Sequence, residues 1–277
     1  MDEAFVAAAF EAACVEELAA LKPGNVHVFA SGHGMEVEDF RASARAAAPH
    51  IARRGARVGA RVLAAVEASW AAVAKNTNLG ILLLCAPLAL AAERGGDLRE
   101  TVAAVLADLG QADAADAFRA IALASPAGLG TSAAHDVREP ALATLLEAMQ
   151  AAASRDRIAH QYAHGFADIF DIGLPALRAA RHFGGMWPTV TVHLAFLAAF
   201  ADSHISRKYG DAAARQVMAE GRTWHRRLLA AAHPEALTPA LLDFDASLKR
   251  KSLNPGTSAD LTVATLFAAR LSRGHRQ

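Results

Sequence analysis

The spacing of apolar residues restricts the fold most, because they recur every three or four positions along almost the whole chain. That spacing puts them on one face of an α-helix, whereas the strict alternation typical of strands is almost absent. Hydrophobic residues fill 53% of the 277 positions but aromatic residues only 6%, so alanine, leucine and valine supply most of them. Alanine is the best helix former, and tyrosine and tryptophan, which favour strands, are scarce. We therefore predict an all-α fold, a single-domain bundle of roughly ten or more helices over residues 1–277.

The charge balance excludes some classes of partner. The 28 Lys and Arg residues cancel the 28 Asp and Glu residues, whereas a broadly basic nucleic-acid binder needs a clustered excess of cations. The longest apolar run, Leu79–Ala92, is too short to span a bilayer and contains Pro87. Cys14 and Cys85 lie in apolar helical stretches, as reduced buried thiols do. We expect a cytoplasmic protein with no nucleic-acid or membrane partner, and the oligomeric state stays open.

Glycine and proline divide the periodic pattern into segments. Two of the predicted helices are long, Arg155–Phe183 and Thr189–Tyr209. The stretch Ser125–Asp136 is rich in Gly, Ser and Pro, and both of its flanks have the same alanine-rich composition. We interpret it as a functional loop within one domain.

A polar cluster follows the first predicted helix, where Lys22 comes just before Gly24 and Asn25. A lysine beside a glycine-rich loop can hold a phosphate, although an ordinary helix end also explains the glycine. The same loop continues to His33 and Glu36. The cluster is therefore a candidate anion site with ionisable side chains close by in the sequence.

A second cluster stands directly before a strongly apolar predicted helix and consists of Lys75, Asn76, Thr77 and Asn78. One Asn or Thr would suffice to cap a helix, so the additional polar residues favour contact with a ribose or a phosphate at the helix N-terminus. Plain capping remains the alternative.

Three aspartates are candidate metal ligands. Asp168 and Asp171 stand three residues apart among apolar neighbours, a spacing that puts both on one face of an α-helix. Two such carboxylates can hold Mg²⁺, which keeps several waters and bridges to substrate phosphates. Asp202 ends an apolar stretch, where an unpaired charge is costly, so we expect a metal or Arg207 as its partner.

The last cluster is the run Asn254–Leu261, which follows a basic segment at residues 249–251. A turn and a helix start explain the run on structural grounds alone. A triphosphate would also suit the cations before it.

Taken in order, these elements resemble the triphosphoribosyl-dephospho-coenzyme A synthase family over residues of about 15 to 270. The matching elements are Lys22-Pro23-Gly24-Asn25-Val26, Gly32-His33, Met35, Phe40, Ser43-Ala44, Asn76-Thr77, Gly80, Arg138-Glu139 and Asn254-Pro255-Gly256-Thr257-Ser258-Ala259-Asp260-Leu261. Two segments depart from the pattern, because Asn78-Leu79 replaces the family's His-Lys and Gly34-Met35-Glu36 shortens its His-Lys-Asp-Met-Asp stretch.

The resemblance implies an all-helical transferase that moves the triphosphoribosyl unit of ATP to a ribose hydroxyl of 3′-dephospho-coenzyme A and releases adenine. ATP is then a substrate and Mg²⁺ the expected metal. The implied acid, base or ribose contacts are Glu36, His33 and Asp260. The candidate nucleotide contacts for this reaction are Lys22, Gly24, Asn25, Lys75, Asn76, Thr77, Asn78 and Arg138, and the candidate metal ligands are the aspartates chosen above, Asp168, Asp171 and Asp202.

Two other functions fit the sequence. One is a Mg²⁺-dependent nucleotide-using enzyme of another cofactor pathway, such as one-carbon cofactor biosynthesis. The other is a non-catalytic helical partner protein. The first predicts nucleotide binding without coupling to dephospho-coenzyme A, and the second predicts no stabilisation by nucleotides.

Overall fold

The computed structural model describes residues 1–124, 137 and 139–274. These residues form α-helices and contain no strand, with only two isolated β-bridges, so the predicted all-α fold is confirmed. The α-helices are α1 Glu3–Leu18, α2 Val37–Ala52, α3 Val58–Val73, α4 Leu79–Arg94, α5 Leu98–Ala107, α6 Gln111–Ala124, α7 Leu145–Ala152, α8 Arg157–Ala163, α9 Leu174–Ala179, α10 Trp187–Ala199, α11 Ser203–Tyr209, α12 Asp211–Leu229, α13 Thr238–Arg250 and α14 Gly256–Gly274. The predicted loop Ser125–Asp136 lies outside the described residues.

The chain divides into two compact units. Unit 1 comprises Met1–Cys14, Glu38–Ala167 and Phe267–Gln277, and unit 2 comprises Val15–Val37 and Asp168–Leu266. The expectation of a single domain over residues 1–277 stays a prediction.

Unit 2 is built around α10, whose side chains are buried almost all round. Such a helix needs apolar neighbours on every side. α12 approaches it closely at Gly221, where a Cβ atom would lie 2.9 Å from Leu197 Cγ. The shared core contains Leu21, Val190, Leu194, Leu197, Ile205, Val217, Leu228, Leu241, Phe244 and Leu248.

Unit 1 contains the strongly apolar helix α4 and the packed pair α3 and α6. Asp113 is 5% exposed and accepts hydrogen bonds from the N–H groups of Gly59 (2.8 Å) and Gly110 (3.1 Å). A Cβ atom on Gly59 would lie 2.5 Å from the Asp113 carbonyl oxygen, so this contact requires glycine. Over the described ranges no single helix is long and apolar enough to cross a membrane. Taken together, α4 and α5 have the length and composition of a membrane span, but a bend of 111° separates them.

Two predicted helices are wrong because the backbone interrupts them. The segment Arg155–Phe183 contains Gly165 and Phe166 with φ of +59° and +62°, which end α8, and it continues as a π-helix, Ile169–Gly173, before α9. The segment Thr189–Tyr209 is interrupted at Asp202, which caps a new helix. In both places apolar residues flank the interruption, so periodicity alone did not reveal it.

Candidate active site

Two tight turns follow α1 in unit 2. Backbone hydrogen bonds between His27 and Ala30 close the turn at residues 27–30, and those between Gly32 and Met35 close the turn at residues 32–35. The central residues of the second turn, His33 and Gly34, have φ of +58° and +72°, the sign pattern of a type I′ turn. The predicted polar loop is therefore an ordered pair of turns that presents His33 at a tip.

The ammonium group of Lys22 is completely buried. It donates to the Glu17 carboxylate and, at 3.0 Å, to Asn25 Oδ1. Burial lowers the pKa of Lys22, against the attraction of Glu17. In this arrangement the lysine fixes Asn25, and a phosphate contact at Lys22 stays a prediction.

Gly24 and Asn25, which lie between α1 and these two turns, bond to residues more than 200 positions away in the sequence. Asn25 Nδ2 donates to Asn254 Oδ1 at 2.8 Å, and the Gly24 N–H donates to Asp245 Oδ1 at 2.8 Å. Gly24 has φ of +83°, and a Cβ atom there would lie 2.8 Å from Pro255 Cδ. Only glycine allows this approach, so the structure brings the two motifs quoted in the sequence analysis into contact.

Asp245 on α13 contacts three residues of this region, and the sequence analysis did not select it. Besides Gly24 it contacts His27 Nε2 at 3.3 Å, and it accepts from Lys249 Nζ at 2.9 Å. Lys249 also donates to the carbonyl of Ala30 at 3.0 Å. Burial by itself raises the pKa of Asp245, but the close contact with His27 and the hydrogen bonds from Lys249 and Gly24 outweigh it and lower that pKa. The spacing of Asp245 and Lys249, one helical turn apart, was the available signal.

His193 is the second group that sequence reasoning did not select as a site residue. It lies on α10, is fully buried, and neither ring nitrogen has a hydrogen-bond partner in the described structure. Burial, with a contribution from Lys22, lowers the pKa of His193 to about 3. The ring is therefore neutral at physiological pH. The charge of Lys22 lowers the pKa of His193, and the charge of Asp245 raises it.

Asp202 is a double cap. Its Oδ1 accepts from the N–H groups of His204 (2.9 Å) and Ile205 (3.3 Å) at the start of α11. Its Oδ2 accepts from the N–H and the hydroxyl of Ser258, both at 2.8 Å, in the first turn of α14. A carboxylate offers about four lone-pair positions, and these bonds fill them. The partners of Asp202 are thus backbone groups and Ser258, where we expected a metal or Arg207, and a metal there would have to displace these bonds.

His33 has the geometry of an oriented base. Its Nε2 lies 2.8 Å from the carbonyl oxygen of Gly24. A carbonyl only accepts hydrogen bonds, so Nε2 carries the proton and the neutral ring keeps a lone pair on Nδ1. Asp260 is half-buried on α14 and acts electrostatically on Lys22, whereas Glu36 is exposed.

The second predicted cluster lies in unit 1. Thr77 Oγ1 donates to Ser43 Oγ at 2.6 Å, and Asn78 Nδ2 donates to Ser69 Oγ at 3.0 Å. Asn78 occupies the N-cap position of α4 without a side-chain cap bond. The exposed pair Lys75 and Asn76 borders a small cavity together with Asn78 and Ser69. Thr77 and Asn78 are therefore held in place by α2 and α3.

The assignment of Asp168, Asp171 and Asp202 as metal ligands stays a prediction. The described residues contain no group of three or more His, Cys, Asp or Glu side chains placed to hold a metal ion. Asp168 is 5% exposed while Asp171 is exposed, and Asp171 lies in a π-helix, where Leu174 N–H bonds to the Ile169 carbonyl. Arg138 lies outside the described residues.

Buried ionisable groups that shift one another's pKa, gathered at helix ends beside an oriented imidazole, are typical of an enzyme active site. The fold and this cluster define the class as an all-α enzyme.

Comparison with known proteins identifies the family. The model of the CitG family, described as ATP:dephospho-CoA triphosphoribosyl transferase, matches residues 3–277, so the chain belongs to that family. Its members transfer triphosphoribosyl from ATP to dephospho-CoA. The predicted family, the transferase class and ATP as substrate are thereby confirmed.

A solved structure supports the fold. The chain is similar to a crystal structure from Archaeoglobus fulgidus, provisionally described as a triphosphoribosyl-dephospho-coA synthase, with a TM-score of 0.64 and 24% identity. The alignment covers 84% of this chain and 97% of the other. No curated protein matches the chain.

Proposed function

We propose that the polar cluster of unit 2 carries out the family's reaction, the transfer of triphosphoribosyl from ATP to a hydroxyl of dephospho-coenzyme A. The observation that carries the proposal is the orientation of His33 by the Gly24 carbonyl, 2.8 Å from Nε2. It leaves Nδ1 as a proton acceptor at the tip of an anchored turn.

In the proposed step, His33 Nδ1 takes the proton of the acceptor hydroxyl while its oxygen bonds to the anomeric carbon of the ATP ribose. The bond from that carbon to adenine breaks, and its electron pair leaves with adenine, which then takes up a proton. The ribose carbon passes through an oxocarbenium-like state, which a nearby carboxylate stabilises. We assign that role to Asp260 and a ribose or adenine contact to the exposed Glu36.

We further propose that Mg²⁺ accompanies the triphosphate. Mg²⁺ is commonly held by one or two carboxylates plus substrate phosphates and waters, so the absence of a three-residue cluster among the described residues fits this mode. Asp168 and Asp171 are the carboxylates proposed to hold it, and Mg²⁺ would neutralise phosphate charge. The reaction belongs in the cytoplasm, in keeping with the reduced, buried thiols of Cys14 and Cys85.

Adenine release tests the function. The purified chain is incubated with ATP, Mg²⁺ and dephospho-coenzyme A, and adenine is quantified by chromatography beside the mass of the acceptor product. We expect one adenine per molecule of acceptor modified, and almost none when the acceptor is omitted. Adenine release that does not depend on the acceptor, or a product without the added triphosphoribosyl mass, would contradict the proposal.

A further inference from the structure

The turn at residues 27–30 exposes two apolar side chains. Val28 and Phe29 occupy its central positions and are 45% and 48% exposed. Central turn positions are usually Gly, Pro, Asn, Asp or Ser, because these residues suit the backbone and the solvent. Two adjacent large apolar residues in such a position leave hydrophobic surface in water with no structural need for it.

The turn holds Phe29 rigidly. Its backbone is fixed by reciprocal bonds between His27 and Ala30 and by the bond from Val28 N–H to the Leu18 carbonyl at 3.0 Å. The Phe29 N–H points at His27 Nδ1, 3.3 Å away, and the two rings have centroids 5.8 Å apart. The backbone that carries the exposed ring is therefore fixed before a ligand binds, which lowers the entropic cost of binding.

The groups behind the ring are polar and charged. His27 contacts Asp245, and Lys249 ties Asp245 to the Ala30 carbonyl of the same turn. These groups bond to one another and to the turn, so the exposed Phe29 ring is the surface that the turn offers to a ligand. Phe170 is only partly exposed and Phe166 is buried, so Phe29 is the most exposed of these three phenylalanines.

We propose that Phe29 is a specificity residue that stacks on the adenine ring of a substrate. The inference rests on the proposed function, because both ATP and dephospho-coenzyme A carry adenine. Stacking on an aromatic side chain recognises the ring itself and adds to affinity without taking part in the chemistry.

The test compares Phe29→Ala, Phe29→Trp and Tyr209→Ala, the last removing another exposed aromatic side chain of unit 2. Phe29→Ala is expected to raise the KM of one substrate about tenfold with little change in kcat. Phe29→Trp keeps both KM values near those of the parent, and Tyr209→Ala changes neither. The substrate whose KM rises is the one whose adenine is stacked.

Two results would overturn the inference. The first is a Phe29→Ala variant with both KM values within twofold of the parent. The second is a variant that changes the oligomeric state in size-exclusion chromatography and not the KM values, since that would assign the turn to a protein interface. If the parent releases no adenine, the proposed function fails, and calorimetric binding of ATP and of dephospho-coenzyme A to parent and Phe29→Ala decides the stacking separately.

Discussion

Burial determines what each charged side chain of unit 2 can do. Lys22 is the motif cation but has no exposed surface and is bonded to Glu17 and Asn25. His33 is partly exposed, and only its Nε2 is assigned to the Gly24 carbonyl. Residue type and spacing suggested that both meet the substrate. Because His33 is partly exposed to solvent, we expect it to contact the substrate. Lys22 is buried and holds Asn25 in place.

His193 makes the folded state sensitive to acid. Its pKa falls from 6.5 to about 3 because the ring is buried, so between these values the unfolded chain binds a proton that the folded chain does not. Stability therefore falls as the pH drops through this window, by about 1.4 kcal/mol per pH unit for this group. We expect His193→Leu to flatten the pH dependence of the free energy of unfolding by up to that slope, measured by urea denaturation.

A matched control is His233→Asn, because the His233 side chain is 81% exposed. That variant should keep the parent's slope. His204, whose pKa burial also lowers to about 3, remains in both variants and retains part of the slope. An unchanged slope in His193→Leu would show that the imidazole is not held neutral by the fold.

At the scale of elements, the main polar contacts of unit 2 join the ends of its helices. Asp202 caps α11 and binds the first turn of α14 through Ser258, while Ser203 and Thr257 join the same two ends at 2.9 Å. α13 supplies Asp245 to the turn after α1. Helix ends carry unpaired backbone groups, so they are where side chains can both stabilise the fold and remain close to a ligand.

The Asp202 cap can be separated from the expected metal role. Asp202→Ala leaves the buried Ser258 N–H and hydroxyl without their acceptor, so we expect it to lower the free energy of unfolding without metal by about 3 kcal/mol. Asp97→Ala removes an exposed cap that accepts from Arg99 and Glu100 and should cost about 1 kcal/mol. Denaturation in EDTA measures both variants.

A metal role for Asp202 predicts a different outcome. Asp202→Ala would then unfold like the parent in EDTA, and the Mg²⁺ concentration needed for half-maximal adenine release would rise. Either result would contradict the capping account.

The sequence could predict the helices but not all their interruptions. Most bounds follow from periodicity and from Gly or Pro, as at Gly95 after α4. The break at Asp202 was hidden because the segment is apolar up to that residue and helical after it. The left-handed Phe166 gave no signal, since a bulky residue with positive φ is uncommon. Local patterns do not encode a turn that tertiary packing imposes.

The site was predictable only in part, for a related reason. The motif residues Gly24, Asn25 and His33 stand out beside helix breaks, and the family resemblance gave them an order. His27, His193 and Asp245 did not stand out, because each belongs to the site only through folding. Asp245 meets Gly24 across 221 positions, and such a contact leaves no trace in local spacing.

Over the whole chain, the zero net charge conceals a separation of charges. Most ion pairs with exposed partners, such as Arg94 with Asp108, lie on solvated helix faces and contribute little stability. Unit 1 buries Arg61 and Asp113, whereas unit 2 buries Glu17, Lys22, Asp202 and Asp245, and there Lys22 bonds directly to Glu17. Their desolvation is costly, and an enzyme site is a place where such a cost is retained.

The most direct test of the account is the rate of acceptor-dependent adenine release by His33→Asn, with His233→Asn as control and thermal unfolding of both. A general base contributes about 10²- to 10⁴-fold, so we predict that kcat falls at least about 100-fold in His33→Asn while the melting temperature stays near that of the parent. His233→Asn should keep full activity. A His33→Asn enzyme that retains kcat within about threefold, folded and with acceptor-dependent release, would contradict the claim that this turn performs the transfer.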